Sequence, residues 1–149
     1  MQQEFDNTDR QTWIGLLARA PLEMLEGWAQ GGVPAHTWLR QPETGLVMVR
    51  GRAGGTGARF NLGEMTLTRC ALRLESGEAG LAYVQGRSHR KAELAALADG
   101  MLQSTEGAPA VEHGLLVPLR AVLAHRKHSL QASAQATRVD FFTLVRGES

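Results

Sequence analysis

Apolar positions change period along this chain, and the changes mark its elements. After Thr8, read as an N-cap, Trp13, Leu16, Leu17 and Ala20 recur at helical spacing. Pro21 suits the first position of a second helix, with Leu22, Leu25 and Trp28 or Ala29 on its inner face and Gly31-Gly32 as its stop. Ala35 to Leu39 reads as an edge strand, and Trp38 there as a core or partner-facing anchor. Leu46 to Val49 is a short apolar run between glycines, the pattern of a buried strand. From Glu64 to Leu74 the period is two. Met65 and Leu67 share one face, while Cys70, Leu72 and Leu74 share the other. Such a switch, here around Thr68 and Arg69, requires a bulge or burial on both faces. Glu75 to Glu78 is a tight turn, and Gly80 to Gln85 a further strand.

The helical period then returns. Ser88 caps a helix whose stripe is Leu94, Leu97, Ala98, Met101 and Leu102. Gln103 to Gly114, with Gly107 and Pro109, reads as a loop. Pro118 opens another helix with Leu119, Val122, Leu123 and Leu130 inward. The tail from Arg138 to Gly147 is apolar on both faces, with Val139, Phe141 and Val145 on one and Phe142 and Leu144 on the other. Such a segment needs cover on both sides, part of it from another chain. Trp38, Phe141, Phe142, Val145 and Arg146 are therefore the candidates for a partner interface. The pattern predicts one α+β domain over residues 1–149: two N-terminal helices, an antiparallel β-meander, two further helices and an apolar, strand-like tail.

Composition narrows the possible functions. Sixteen Lys and Arg against fifteen Asp and Glu give a formal net charge of +1. Bulk attraction to nucleic acid is excluded at that balance, and only local basic patches remain. One cysteine, Cys70, allows no intrachain disulfide and no cysteine cage for a metal. His125 and His128 stand one helical turn apart beside Arg126 and Lys127, which reads as a solvated basic face. The sequence shows no signal-peptide pattern and no run long enough to span a membrane, so the expected compartment is the cytoplasm.

Two cation clusters hold the candidate chemistry. Arg50, Arg52 and Arg59 surround the glycines Gly51, Gly54, Gly55 and Gly57 between two strands. Glycine lets backbone N–H groups converge on an anion, and arginine adds paired donors for phosphate. No lysine follows Gly57 as a P-loop requires, and a strand rather than a helix comes next. A phosphate-handling hairpin and a plain hairpin with solvated arginines both remain open. The second cluster, Arg87, His89, Arg90 and Lys91, lies at a helix start, where the dipole favours anions. A bound anion, acidic residues of a partner or plain exposure would each accommodate it. If the Gly51 loop and the Gly86 turn meet at one end of the sheet, Arg52 and Arg87 share a basic pocket.

The run Glu43–Cys70, the segment LAYVQGR at Leu81–Arg87, the tail Arg138–Gly147 and the positions Arg10, Trp13, Leu17 and Ala18 resemble the PhnG family. This family supplies a subunit of the bacterial carbon–phosphorus lyase system. The likeness runs in order through nearly the whole chain. Lys91 stands where the family pattern has histidine, which keeps a cation but removes an imidazole. The resemblance implies work on organic phosphonates such as methylphosphonate. With PhnH, PhnI and PhnL, such a subunit takes part in displacing adenine from ATP, giving α-D-ribose 1-methylphosphonate 5-triphosphate. PhnI carries the nucleosidase chemistry, and a core complex also contains the iron–sulfur subunit PhnJ. ATP and the phosphonate are then substrates of the complex, and this chain has no cofactor, metal or catalytic residue of its own. The residues themselves display no acid–base pair and no nucleophile elbow. Two other readings are an enzyme using the Gly/Arg hairpin and a stand-alone nucleotide-binding module.

Overall fold

The computed structural model describes residues 7–139. The chain is α+β. Helices α1 (Asn7–Arg19) and α2 (Leu22–Ala29) come first, then strands β1 (His36–Arg52), β2 (Arg59–Leu74) and β3 (Ala79–Gln85). Helices α3 (His89–Leu102), α4 (Ala108–Val111) and α5 (Val117–Ala136) follow. The strands form one antiparallel sheet in the order β1-β2-β3, which is the expected meander. The helices lie on one face of it, with α3 seated on β3 and β2 and α1 packed on α3 and β3.

Period-two patterning sets which face is covered. Thr68, Cys70, Leu72 and Leu74 of β2 point into the helices and are buried, as are Ala82 and Val84 of β3. Their neighbours Arg69, Arg73 and Tyr83 are exposed on the open face. Leu17 and Leu25 close the core from α1 and α2, while Leu94 and Leu97 fill it from α3 and Leu115, Leu116 and Leu119 complete it. The sequence pattern of α3 is met, with Leu94, Leu97, Ala98 and Leu102 buried and Met101 half-buried. Ser88 caps that helix, its Oγ accepting from the Lys91 N–H at 3.1 Å.

Several boundaries differ from expectation. The separate edge strand and buried strand are one 17-residue strand, β1. It is one edge of the sheet, and its register shifts fall at Leu39, between Val49 and Arg50, and around Gln41-Pro42, where proline cannot donate to a ladder. The β2–β3 register runs unbroken through Thr68 and Arg69, so no bulge switches faces there. Met65 and Leu67 lie on the opposite face and are half-buried. Thr8 lies inside α1, which begins at Asn7, and Pro21 is the residue ahead of α2. The stretch Gln103–Gly114 is not a plain loop. It holds α4 and then a π-turn, Glu112–Leu116, that runs straight into α5. Pro118 has no N–H for the carbonyl one turn back, and a wide turn just ahead accommodates that loss. On α5 only Leu119 is buried. Val122 and Leu130, expected inward, are 42% and 65% exposed. Leu123 is half-buried at the edge of the core, and beyond it the helix keeps its apolar spacing without burial. Phe141, Phe142, Val145 and Arg146 lie outside the described residues.

Candidate functional site

The hairpin of β1 and β2 is far longer than β3. β3 pairs with Leu67 to Arg73, whereas β1 and β2 continue pairing out to Arg52 opposite Arg59. From Thr44 opposite Thr68 to that tip is eight residues, roughly 26 Å of two-stranded ribbon beyond the body. Its faces carry large apolar side chains that no described element covers. Leu46, Met48, Phe60 and Leu62 are each about half exposed or more. A lone two-stranded hairpin is only marginally stable in water.

The first cation cluster sits at the end of this arm. Arg50, Arg52 and Arg59 are exposed, and Arg52 and Arg59 are direct cross-strand neighbours. Like charges so placed repel. None of the three has an ion-pair partner among the described residues. The chain reverses through Ala53–Gly55, with Gly54 at φ 61 and Gly55 at φ 79, a left-handed pair that glycine adopts without strain. Gly57 has no such φ. It is small because a Cβ there would meet the Ala53 carbonyl oxygen at 2.8 Å.

The second cluster does not join the first. His89 Nε2 lies 3.2 Å from Thr44 Oγ1, which places the start of α3 at the arm's root. The Gly51 loop and the Gly86 turn point the same way, but the ribbon separates them: seven residue steps of β2, roughly 23 Å, lie between Thr66, whose carbonyl accepts from the Gly86 N–H, and Arg59 opposite Arg52. The four cations at the helix start go to different places. Arg87 is exposed, and His89 touches β1. Arg90 pairs with Glu93 at 2.9 Å. Lys91 is half-buried, and burial alone holds its ammonium below the usual lysine range. Trp38 is half-buried against the core, its ring edge-on to His36 with centroids 5.0 Å apart.

Lys91 lines a surface that the sequence pattern did not assemble. A groove of about 560 Å³ runs between α1 and α5, lined by Leu16, Arg19, Arg120, Leu123, Lys127 and Leu130 among others. A second hollow of about 460 Å³ adjoins it, where Arg19, Lys91 and Arg126 meet Gln85 and Ala18. Every charged lining residue of both is a cation. Arg126 and Lys127 were legible as a basic helix face, but their company with Arg19 and Lys91 required the fold. His125 and His128 are exposed on α5, and no cluster of metal-ligating residues forms among the described residues.

Two further features escaped the sequence reading. Asp99 is fully buried in the stripe of α3. Its carboxylate accepts from Arg10 Nη2 at 2.8 Å, Trp13 Nε1 at 2.8 Å and the Leu81 N–H at 2.9 Å, tying α1 and β3 to α3. An acid inside an apolar stripe, with Arg10 and Trp13 one turn apart on α1, was the available signal. On the open sheet face, Glu43 accepts from Arg40 at 2.7 Å and Arg69 at 2.6 Å, and those guanidiniums hold its carboxyl below the usual range.

The molecule thus offers displayed cations and uncovered apolar surface around a tightly tied core, the features of a domain built for contact. Residues 8–147 match the model of the family described as phosphonate metabolism protein PhnG, and the chain belongs to that family. It is 44% identical over 141 residues to the alpha-D-ribose 1-methylphosphonate 5-triphosphate synthase subunit PhnG of Rhizobium meliloti (strain 1021), covering 93% of this chain and 90% of the relative. No helix among the described residues is long and apolar enough to cross a membrane.

Proposed function

We propose that this chain is a non-catalytic subunit of the assembly that converts ATP and methylphosphonate to α-D-ribose 1-methylphosphonate 5-triphosphate and adenine. Its partners in this reading are PhnI, PhnH and PhnJ, with PhnL joining for the transfer reaction. The observation that carries the reading is the arm. An apolar ribbon reaching roughly 26 Å past its own core gains stability only when another surface covers it. The name of the Rhizobium meliloti relative, a synthase subunit, supports the same conclusion.

The anion-binding candidates take their place within this reading. Arg50, Arg52 and Arg59, on the turn of Gly54, Gly55 and Gly57, form a cationic tip whose internal repulsion an anion relieves. The tip faces either a phosphate group of the substrate or carboxylates of a partner. Arg87, His89, Arg90 and Lys91 form a separate basic region at the arm's root.

The test is co-purification of a tagged chain with its co-expressed partners, followed by assay with ATP and methylphosphonate. Replacing residues 46–64 with a two-residue turn should release the chain from the complex while leaving its helical signal intact. Retention of the shortened chain at full stoichiometry would show that the arm is no interface. Arg52→Ala with Arg59→Ala separates the roles of the tip: lost turnover in an intact complex means substrate contact, and lost assembly means partner contact. Adenine release by the isolated chain would overturn the subunit reading in favour of an enzyme.

A further inference from the structure

The outer part of α5 has the same problem as the arm, on the opposite layer. From Arg120 to Ala136 every residue is exposed except Leu123, which is half-buried. A helix of that length without tertiary cover is marginal in water. Yet one side of it is apolar. Leu123, Leu130 and Ala134 recur at helical spacing and face Leu16 of α1 across the groove. The rim is cationic. Arg19, Lys91, Arg126 and Lys127 have no carboxylate partner among the described residues, and Arg120 alone is paired, with Glu112.

We infer that this groove is a docking site for an acidic amphipathic helix of another subunit of the same assembly. The inference rests on the subunit reading above and adds a second surface, with a definite chemistry, to the arm. The occupant presents an apolar stripe to Leu16, Leu123 and Leu130 and carboxylates to the rim. From Arg120 to Ala134 the groove follows α5 for about 21 Å, which corresponds to a partner helix of about 14 residues. A burial-weakened Lys91 ammonium regains its proton affinity when a carboxylate arrives.

Other occupants fit the lining less well. A second copy docked through the same face would set cations against cations, because a two-fold contact is self-complementary. A nucleotide would find no aromatic ring to stack on among the lining residues, and its polar groups would leave the apolar floor unmatched.

The experiment compares wild type with the Arg126→Glu, Lys127→Glu double variant in the co-expressed complex. Both positions are exposed, so circular dichroism of the variant should match wild type. We expect at least about tenfold weaker association at low salt, with the wild-type affinity itself falling as salt rises. Amide exchange over residues 120–134 should slow on assembly in wild type and not in the variant. Carbodiimide coupling should join Lys127 or Lys91 to an Asp or Glu of another subunit. Failure of wild type to co-purify at all would sink the subunit reading itself. Normal co-purification, with 120–134 exchanging fast in the complex, would overturn the groove alone. So would couplings found only between copies of this chain, or saturable binding of ATP or tripolyphosphate that the double variant abolishes. A chain ending at Val139 covers the remaining case: if slow exchange of 120–134 in the isolated full-length chain becomes fast on truncation, the chain's own C-terminal segment fills the groove.

Discussion

Asp99 is the charged side chain held inside the core among the described residues, and it is fully provided with donors. A buried carboxylate with good geometry costs little in place, but removing its charge strands its partners. Asp99→Asn keeps the shape and turns an acceptor into a donor aimed at Arg10 or Trp13. The variant should lose about 3–5 kcal/mol in urea unfolding, and an unchanged midpoint would mean that the tie between α1 and α3 is dispensable. Cys70 poses the converse case. Burial pushes its thiol up to about 12, from an ordinary value near 9. Folding therefore favours the protonated form, so this contribution to stability is complete below about pH 9 and is lost as pH rises from 9 towards 12. Two outcomes follow. The native chain should resist thiol reagents at pH 8 until denatured, and Cys70→Ala should show a shallower loss of stability between pH 9 and 11 than wild type. Rapid labelling of the native thiol would contradict its place in the core.

At the scale of elements, the seat of α3 on the sheet depends on missing side chains. A Cβ at Gly80 would stand 1.9 Å from the Ala96 carbonyl oxygen, and one at Gly100 would stand 3.1 Å from the Leu74 side chain. At Gly80 backbone meets backbone, and neither side can give way without moving the helix. Gly80→Ala should therefore cost about 3 kcal/mol or more, read as a lower thermal midpoint, although alanine is a mild substitution in most strands. A midpoint within a degree of wild type would mean that α3 sits further out. The helix start of α3 shows how local charge rules are met by geometry. The sequence sets cations where the dipole disfavours them. Glu93 pairs Arg90, Thr44 meets His89, and Lys91 turns into the hollow beside the groove, so the four side chains disperse over different surfaces.

On the scale of the whole molecule, the core is small and the uncovered surface is organised. The arm extends the sheet past its helices, and α5 extends the helical layer past its sheet. The covered core between them is tied at Asp99 and Gly80. Such a molecule gains stability from association, since anything that binds only the folded form adds to its free energy of unfolding. The α+β class, the meander, the cap at Ser88 and the stripe of α3 were legible in the sequence, because each follows from interactions within a few residues: period, capping and turn chemistry. A chain reversal at the glycines Gly54, Gly55 and Gly57 was legible for the same reason. The length of the arm was not, since the strand pattern stops at Val49 and resumes at Glu64, while the ladder itself runs on to Arg52 opposite Arg59 and β3 ends at Gln85. The fate of Val122 and Leu130 was equally hidden. A helical period shows which residues share a face, and only the packing of other elements shows whether that face is covered. The distance between Arg52 and Arg87, the burial of Asp99 and the gathering of Arg19, Lys91, Arg126 and Lys127 around one groove join residues far apart in the chain. Tertiary structure decided these, because charge and burial act through space, while a single sequence records order along the backbone.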